Sequence, residues 1–174
     1  MNVYLLDFLK GNICRSPIAE VVMADTLTKA NRTDVLVDSA ALGGWHVGNR
    51  ADPRALSTLE KHGLKSTHIV RQITKKDFQD FDYIFGMDED NMKELRRLSP
   101  QGSKAELLML GDFGLDKSER IIEDPYYVRF FYTLLIFMLN YCIHLQERGA
   151  EGFETAYQKC VVSCGAFMKQ RLQK

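Results

Sequence analysis

Seven consecutive residues, Gly11-Asn12-Ile13-Cys14-Arg15-Ser16-Pro17, combine the side chains and backbone freedom that phosphate recognition needs. They lie between an apolar run, Val3 to Leu9, and an apolar-periodic stretch, Ser16 to Ala30, so the local pattern is strand, loop, helix. Successive backbone N–H groups in such a loop converge on an anion at the positive end of the helix. Gly11 permits the tight turn, Asn12 tolerates a left-handed conformation while bonding the loop to itself, and Arg15 can grip two phosphate oxygens. Ser16 can hydrogen-bond across the loop mouth, and Pro17 suits the first helical turn. Spacing alone also fits a plain capped loop with Arg15 solvated on the surface. By the same standard Asp124-Pro125 reads as a turn, Trp45 as core, and His68 as an ordinary surface histidine.

The elements that would position this loop follow along the chain. Val35 to Val37 reads as a second strand, Asp52 to His62 as a helix opened by Asp-Pro, and Tyr83 to Met87 as a buried strand. Asn91 to Leu98 reads as a helix ended by Pro100, and Ala105 to Leu110 as a further strand. Strands alternating with helices predict an α/β fold, a parallel sheet covered on both faces with ligands at the carboxyl ends of its strands. A chain of 174 residues suits one domain.

Lysine plus arginine balance aspartate plus glutamate at 23 each, which leaves no global field to gather nucleic acid or acidic membrane. Cys14, Cys142, Cys160 and Cys164 form no CxxC pair and no metal-ligand spacing, as in a reduced cytosolic protein, and Cys160 and Cys164, one helical turn apart, read as small core residues. The N-terminus has no basic region ahead of its apolar run, which Asp7 interrupts, so no secretory signal is expected and a cytoplasmic location follows.

The segments GNICRSPIAE, DSAALGGWHVGNRADPRA from Asp38, HG at His62, HIVRQI at His68, FDYIFGMDEDN from Phe81 and EDPYY from Glu123 together resemble the low-molecular-weight protein tyrosine phosphatase family. The resemblance sets in at Gly11. It implies a three-layer fold, a four-stranded parallel sheet with helices on both faces, and two-step hydrolysis of phosphotyrosine proteins or small phosphomonoesters without metal or cofactor. The family's loop is a cysteine, five residues, then arginine and serine or threonine. Counting back from Arg15, the nucleophile position is occupied by Leu9, which has no lone pair and cannot form a phosphoenzyme.

The resemblance further assigns Lys10, Gly11, Asn12, Ile13, Cys14, Arg15 and Ser16 to the phosphate loop, Arg15 as the transition-state clamp. Cys14 corresponds to a second loop cysteine that protects the nucleophile through a reversible disulfide, which Leu9 removes. Asp124 corresponds to the general acid, Trp45, Tyr126 and Tyr127 to the aromatic walls of the substrate pocket, and Ser39 and His68 to residues that orient the loop. Ile13 resembles the tyrosine-directed members, whereas threonine there marks arginine phosphatases. The related arsenate reductases need cysteines in the region of Asp82 to Asn91, which has none.

Val128 to Gln146 stands apart, with one charge in nineteen residues. Its length suits a bilayer span of about 17 to 25 residues, but Asn140 and His144 are costly at depth and a span here would tear Asp124 from the loop, so membrane insertion is not expected. Removing it joins DPYY to ERGAEGFETAYQ, continuous family sequence. Valine codons begin with GT and one glutamine codon ends in AG, so the segment reads as translated intron inserted in a single domain spanning 1–174. Residues 1–10, ending in Lys10, admit the same reading, and an unpaired Asp7 in a central strand supports it.

Overall fold

Ile84 and Phe85 are consecutive and both fully buried, which a strand achieves only where the sheet is covered on both faces. The computed structural model, which describes residues 2–7, 12–125 and 145–173, shows that arrangement. Strands β1 (Asn2–Asp7), β2 (Leu36–Ala41), β3 (Tyr83–Gly86) and β4 (Glu106–Met109) form one parallel sheet in the order β2-β1-β3-β4. The fold is the expected three-layer α/β type.

Helices α1 (Arg15–Lys29), α2 (Pro53–Lys61) and α5 (Leu145–Phe167) pack on one side, where Ile18, Met23, Leu59, Phe153, Cys160 and Cys164 join Phe85 in the larger core. Helices α3 (Asp77–Asp80) and α4 (Glu89–Leu98) cover the other, where Phe78, Met92 and Leu95 meet Ile84. Cys160 and Cys164 are both fully buried, as their spacing predicts. Burial pushes the Cys164 thiol well above its ordinary range, with Cys160 adding to the shift.

The chain steps from β1 to β2 on one side and then crosses to β3 on the other, so the sheet's switch point lies at the carboxyl end of β1, where the phosphate loop leaves it. The strands deviate from expectation mainly at their ends. β1 stops at Asp7, which pairs with Ala41 in the central strand, rather than continuing to Leu9. β2 begins one residue later and ends four residues later than Val35 to Val37, because Ser39, Ala40 and Ala41 are small enough to bury completely. α3 was not expected from the sequence. α5 takes in Leu145 and Gln146, the last two residues of the apolar segment, and continues through a π-helical turn at Met168–Leu172. Leu9, Lys10, Gly11, Tyr126, Tyr127 and the rest of the apolar segment, together with Cys142, lie outside the described residues.

Phe167 fastens α5 to the sheet. Its ring stands edge-on to Tyr83, Phe85 and Phe113 at centroid separations of 5.2, 4.8 and 5.2 Å. Phe167→Ala is expected to cost about 3–5 kcal/mol, because the cavity would be enclosed by rigid rings. Urea unfolding checks this, and a loss below about 1 kcal/mol would show that α5 docks chiefly through other contacts.

Candidate active site

The loop and the N-terminus of α1 are held by buried side-chain hydrogen bonds. Asn12 adopts the left-handed conformation expected of it, with φ 58°, and is 1% exposed. Its Nδ2 donates to Ser16 Oγ at 2.6 Å and to Ser39 Oγ at 2.9 Å, while its Oδ1 faces His68 Nε2 at 2.6 Å. His68 Nδ1 lies 2.9 Å from the Glu20 carboxylate, which also accepts from the Ser39 hydroxyl. One asparagine thus joins the loop to α1, β2 and the His68 segment. The Asp52 N–H, at the cap of α2, adds a bond to the carbonyl of Ile13 at 2.8 Å.

Arg15 is fully buried, which rules out the solvated reading of the loop. Its Nη1 donates to Asp88 Oδ2 and to the Ile122 carbonyl, both at 2.7 Å, and its Nη2 is 3.8 Å from Asp124 Oδ2. A buried cation needs such partners, since removing it from water costs several kcal/mol. Asp88 also caps α4, accepting from the Asn91 N–H at 2.7 Å through its other oxygen. The general-acid candidate therefore stands beside the clamp, at the carboxyl ends of β1 and β3.

His68 is braced from behind. Arg71 Nη2 bonds Asp38 at 2.7 Å and Asp77 at 3.0 Å, tying the segment to β2 and α3. Burial works to raise Asp77, but bonds from Arg71 and from the Thr74 N–H and hydroxyl outweigh it and hold the carboxyl below its ordinary value. Trp45 is 75% exposed and is not the core residue a lone tryptophan suggests. Its ring lies over the backbone of Gly43, where an added Cβ would come within 1.8 Å of Cζ3. Cys14 is buried at 3%, and Ile13 is partly buried against the larger core. Asp88 and Glu20 carry roles that the sequence did not announce. Their partners Arg15 and His68 are remote in the chain.

Among the described residues, no group of three or more His, Cys, Asp or Glu is placed to hold a metal ion, and no helix is long and apolar enough to cross a membrane. The family model for low molecular weight phosphotyrosine protein phosphatases matches residues 8–138, beginning three residues before the motif resemblance and running into the apolar segment. The chain is 74% identical over 164 residues to low molecular weight phosphotyrosine protein phosphatase 1 of Drosophila melanogaster, covering 94% of each chain. Among solved structures it is similar to the crystal structure of Primo-1, with 71% identity, TM-score 0.84 and 99% of each chain covered. It is also similar to DARP, a drosophila arginine phosphatase, with 35% identity, TM-score 0.80, and 99% of this chain and 98% of that one covered. A buried arginine at the sheet's switch point and matches over nearly the whole length agree, and the chain belongs to the low-molecular-weight protein tyrosine phosphatase family. Membership is consistent with phosphatase activity.

Asp88→Asn keeps the α4 cap but removes the charge facing Arg15, and is expected to lose about 1.5–3 kcal/mol. Asp88→Ala should lose about 1 kcal/mol more through the missing cap. Denaturant unfolding of both variants checks this, and unchanged stability in Asp88→Asn would show that the Arg15 charge is compensated without Asp88.

Proposed function

We propose that the site is built to hydrolyse phosphotyrosine and related aryl phosphates, and that this chain retains the phosphate-binding and proton-donating parts but lacks the nucleophile. The observation that carries the reading is the buried Arg15 guanidinium with Asp124 at 3.8 Å. Arg15 and the loop N–H groups would hold the equatorial phosphate oxygens as charge redistributes in the transition state. Asp124 would give its proton to the phenolic oxygen as the P–O bond breaks, and its carboxylate would then take a proton from the water that hydrolyses the phosphocysteine. Trp45, Tyr126 and Tyr127 would flank the planar ring of the substrate. The Asn12, Ser39 and His68 bonds orient the loop.

A leucine at position 9 cannot accept the phosphoryl group. Turnover by this chain is therefore expected to be absent or severely impaired, leaving at most binding of phosphate-bearing ligands, as in a pseudophosphatase. That second reading is supported by the Asn12 network, in which Ser16, Ser39 and His68 hold the asparagine in place. In the reading of residues 1–10 and 128–146 as translated intron, the native polypeptide has a different sequence with the cysteine ahead of Gly11, and no apolar segment.

With p-nitrophenyl phosphate, the unmodified chain is expected to turn over at least about 10⁴-fold more slowly than a Leu9→Cys protein lacking residues 128–146, as for the loss of other enzymatic nucleophiles. Activity of the unmodified chain that survives further purification would overturn the reading of Leu9. Sequencing the native transcript should separately show codon 127 joined to codon 147, and peptides spanning residues 128–146 from native tissue would contradict the intron reading.

A further inference from the structure

One face of α5 forms the seat of the segment that carries Asp124. Lys159 Nζ donates to the carbonyls of Glu119, at 3.0 Å, and Ile121, at 2.8 Å. Seven residues earlier, and so on the same helical face, Gly152 meets Pro125: an added Cβ there would lie 3.1 Å from Pro125 Cβ. Ala156, between them, is buried at 2%. The segment from Glu119 to Pro125 is thus touched by α5 at both ends.

Its other side is fixed by different elements. The Ile122 N–H donates to the Met87 carbonyl at 3.0 Å, and the Ile122 carbonyl accepts from Arg15. The Arg120 guanidinium bonds Asp112 and Glu89, and its carbonyl presses on Gly111, where a Cβ would lie 1.8 Å from that oxygen. Lys159 and Arg15 therefore bind adjacent carbonyls, those of Ile121 and Ile122. Two cations clamp the backbone two residues before Asp124.

We propose that Lys159 is a positioning residue for the general acid, holding the Glu119–Pro125 segment so that the Asp124 carboxyl stays beside Arg15. The inference rests on the reading of Asp124 given above. An ammonium donating to two main-chain carbonyls restrains backbone without competing for the carboxylate itself, and charged donors make the stronger hydrogen bonds. Because α5 follows the apolar segment and Asp124 precedes it, the same contacts bring the two flanks of that segment together. The acid can then be set correctly whatever chain intervenes.

The first test uses the full chain as it stands. By amide hydrogen exchange, Lys159→Met should raise exchange at Ile121, Ile122 and Asp124 by about tenfold, Lys159→Arg should restore near wild-type rates, and α1 and α4 should be unaffected. Unchanged rates in Lys159→Met would overturn the proposal. The second test is made in the Leu9→Cys protein lacking residues 128–146. Lys159→Met should lower kcat/KM, which reports the step that expels the leaving group, about tenfold for phenyl phosphate, whose leaving group needs the proton, and less than twofold for p-nitrophenyl phosphate. Equal losses on both substrates would contradict a role through Asp124. If the Leu9→Cys protein shows no turnover at all, the functional reading above fails, and the exchange measurement still decides whether Lys159 holds the loop.

Discussion

A positive charge without access to water organises this molecule. The Arg15 guanidinium is fully buried, and its partners come from three separate stretches: Asp88 after β3, the Ile122 carbonyl, and Asp124. Each is more than seventy residues from Arg15 in the chain. Burying that cation is tolerable only when all three stretches are in place, so the guanidinium couples assembly of the sheet's carboxyl edge to assembly of the site. The same charge that would bind a phosphate also holds the acid-bearing segment in register. The buried charge of Arg15 brings the N-terminus of α1, the α4 cap and the segment carrying Asp124 to a single point.

Asn12 is the second organising residue, and it works by geometry rather than charge. A left-handed backbone turns its side chain back under the loop, where one amide satisfies Ser16, Ser39 and His68 together. Glu20 then closes the set through Ser39 and His68. A buried polar network of this kind is costly if any member is missing. It therefore ties Asn12 to α1, β2 and the His68 segment in one arrangement.

Much of this was legible in the sequence, for identifiable reasons. The strand-loop-helix signature around Arg15 is local, and periodicity and turn chemistry report local structure well. The alternation of strands and helices gave the layers. Ser39 and His68 emerged from family resemblance, because nothing in the residues themselves distinguishes them from a strand serine and a surface histidine. Asp88 remained hidden because its capping role accounts for it fully in sequence terms, and only the folded chain brings Arg15 to its other oxygen. Trp45 failed the ordinary expectation of burial since Gly43 supplies a flat backbone seat on which the ring rests in the open. The length of α5 was obscured by the apolar segment running into it and by glycines at 149, 152 and 165.

The separation of scaffold from nucleophile has a consequence for how this chain stands relative to its family. Among the described residues, Arg15 and Asn12 are held by Ser16, Ser39, His68, Asp88, Ile122 and Asp124. The segment carrying Asp124 is gripped by Met87, Arg15 and Lys159. The three-layer fold and the contacts of Arg15 and Asn12 are present in a chain with leucine at position 9 and the apolar stretch after Tyr127. The fold is accordingly no evidence of activity in this polypeptide, and the chemistry of one side chain decides it.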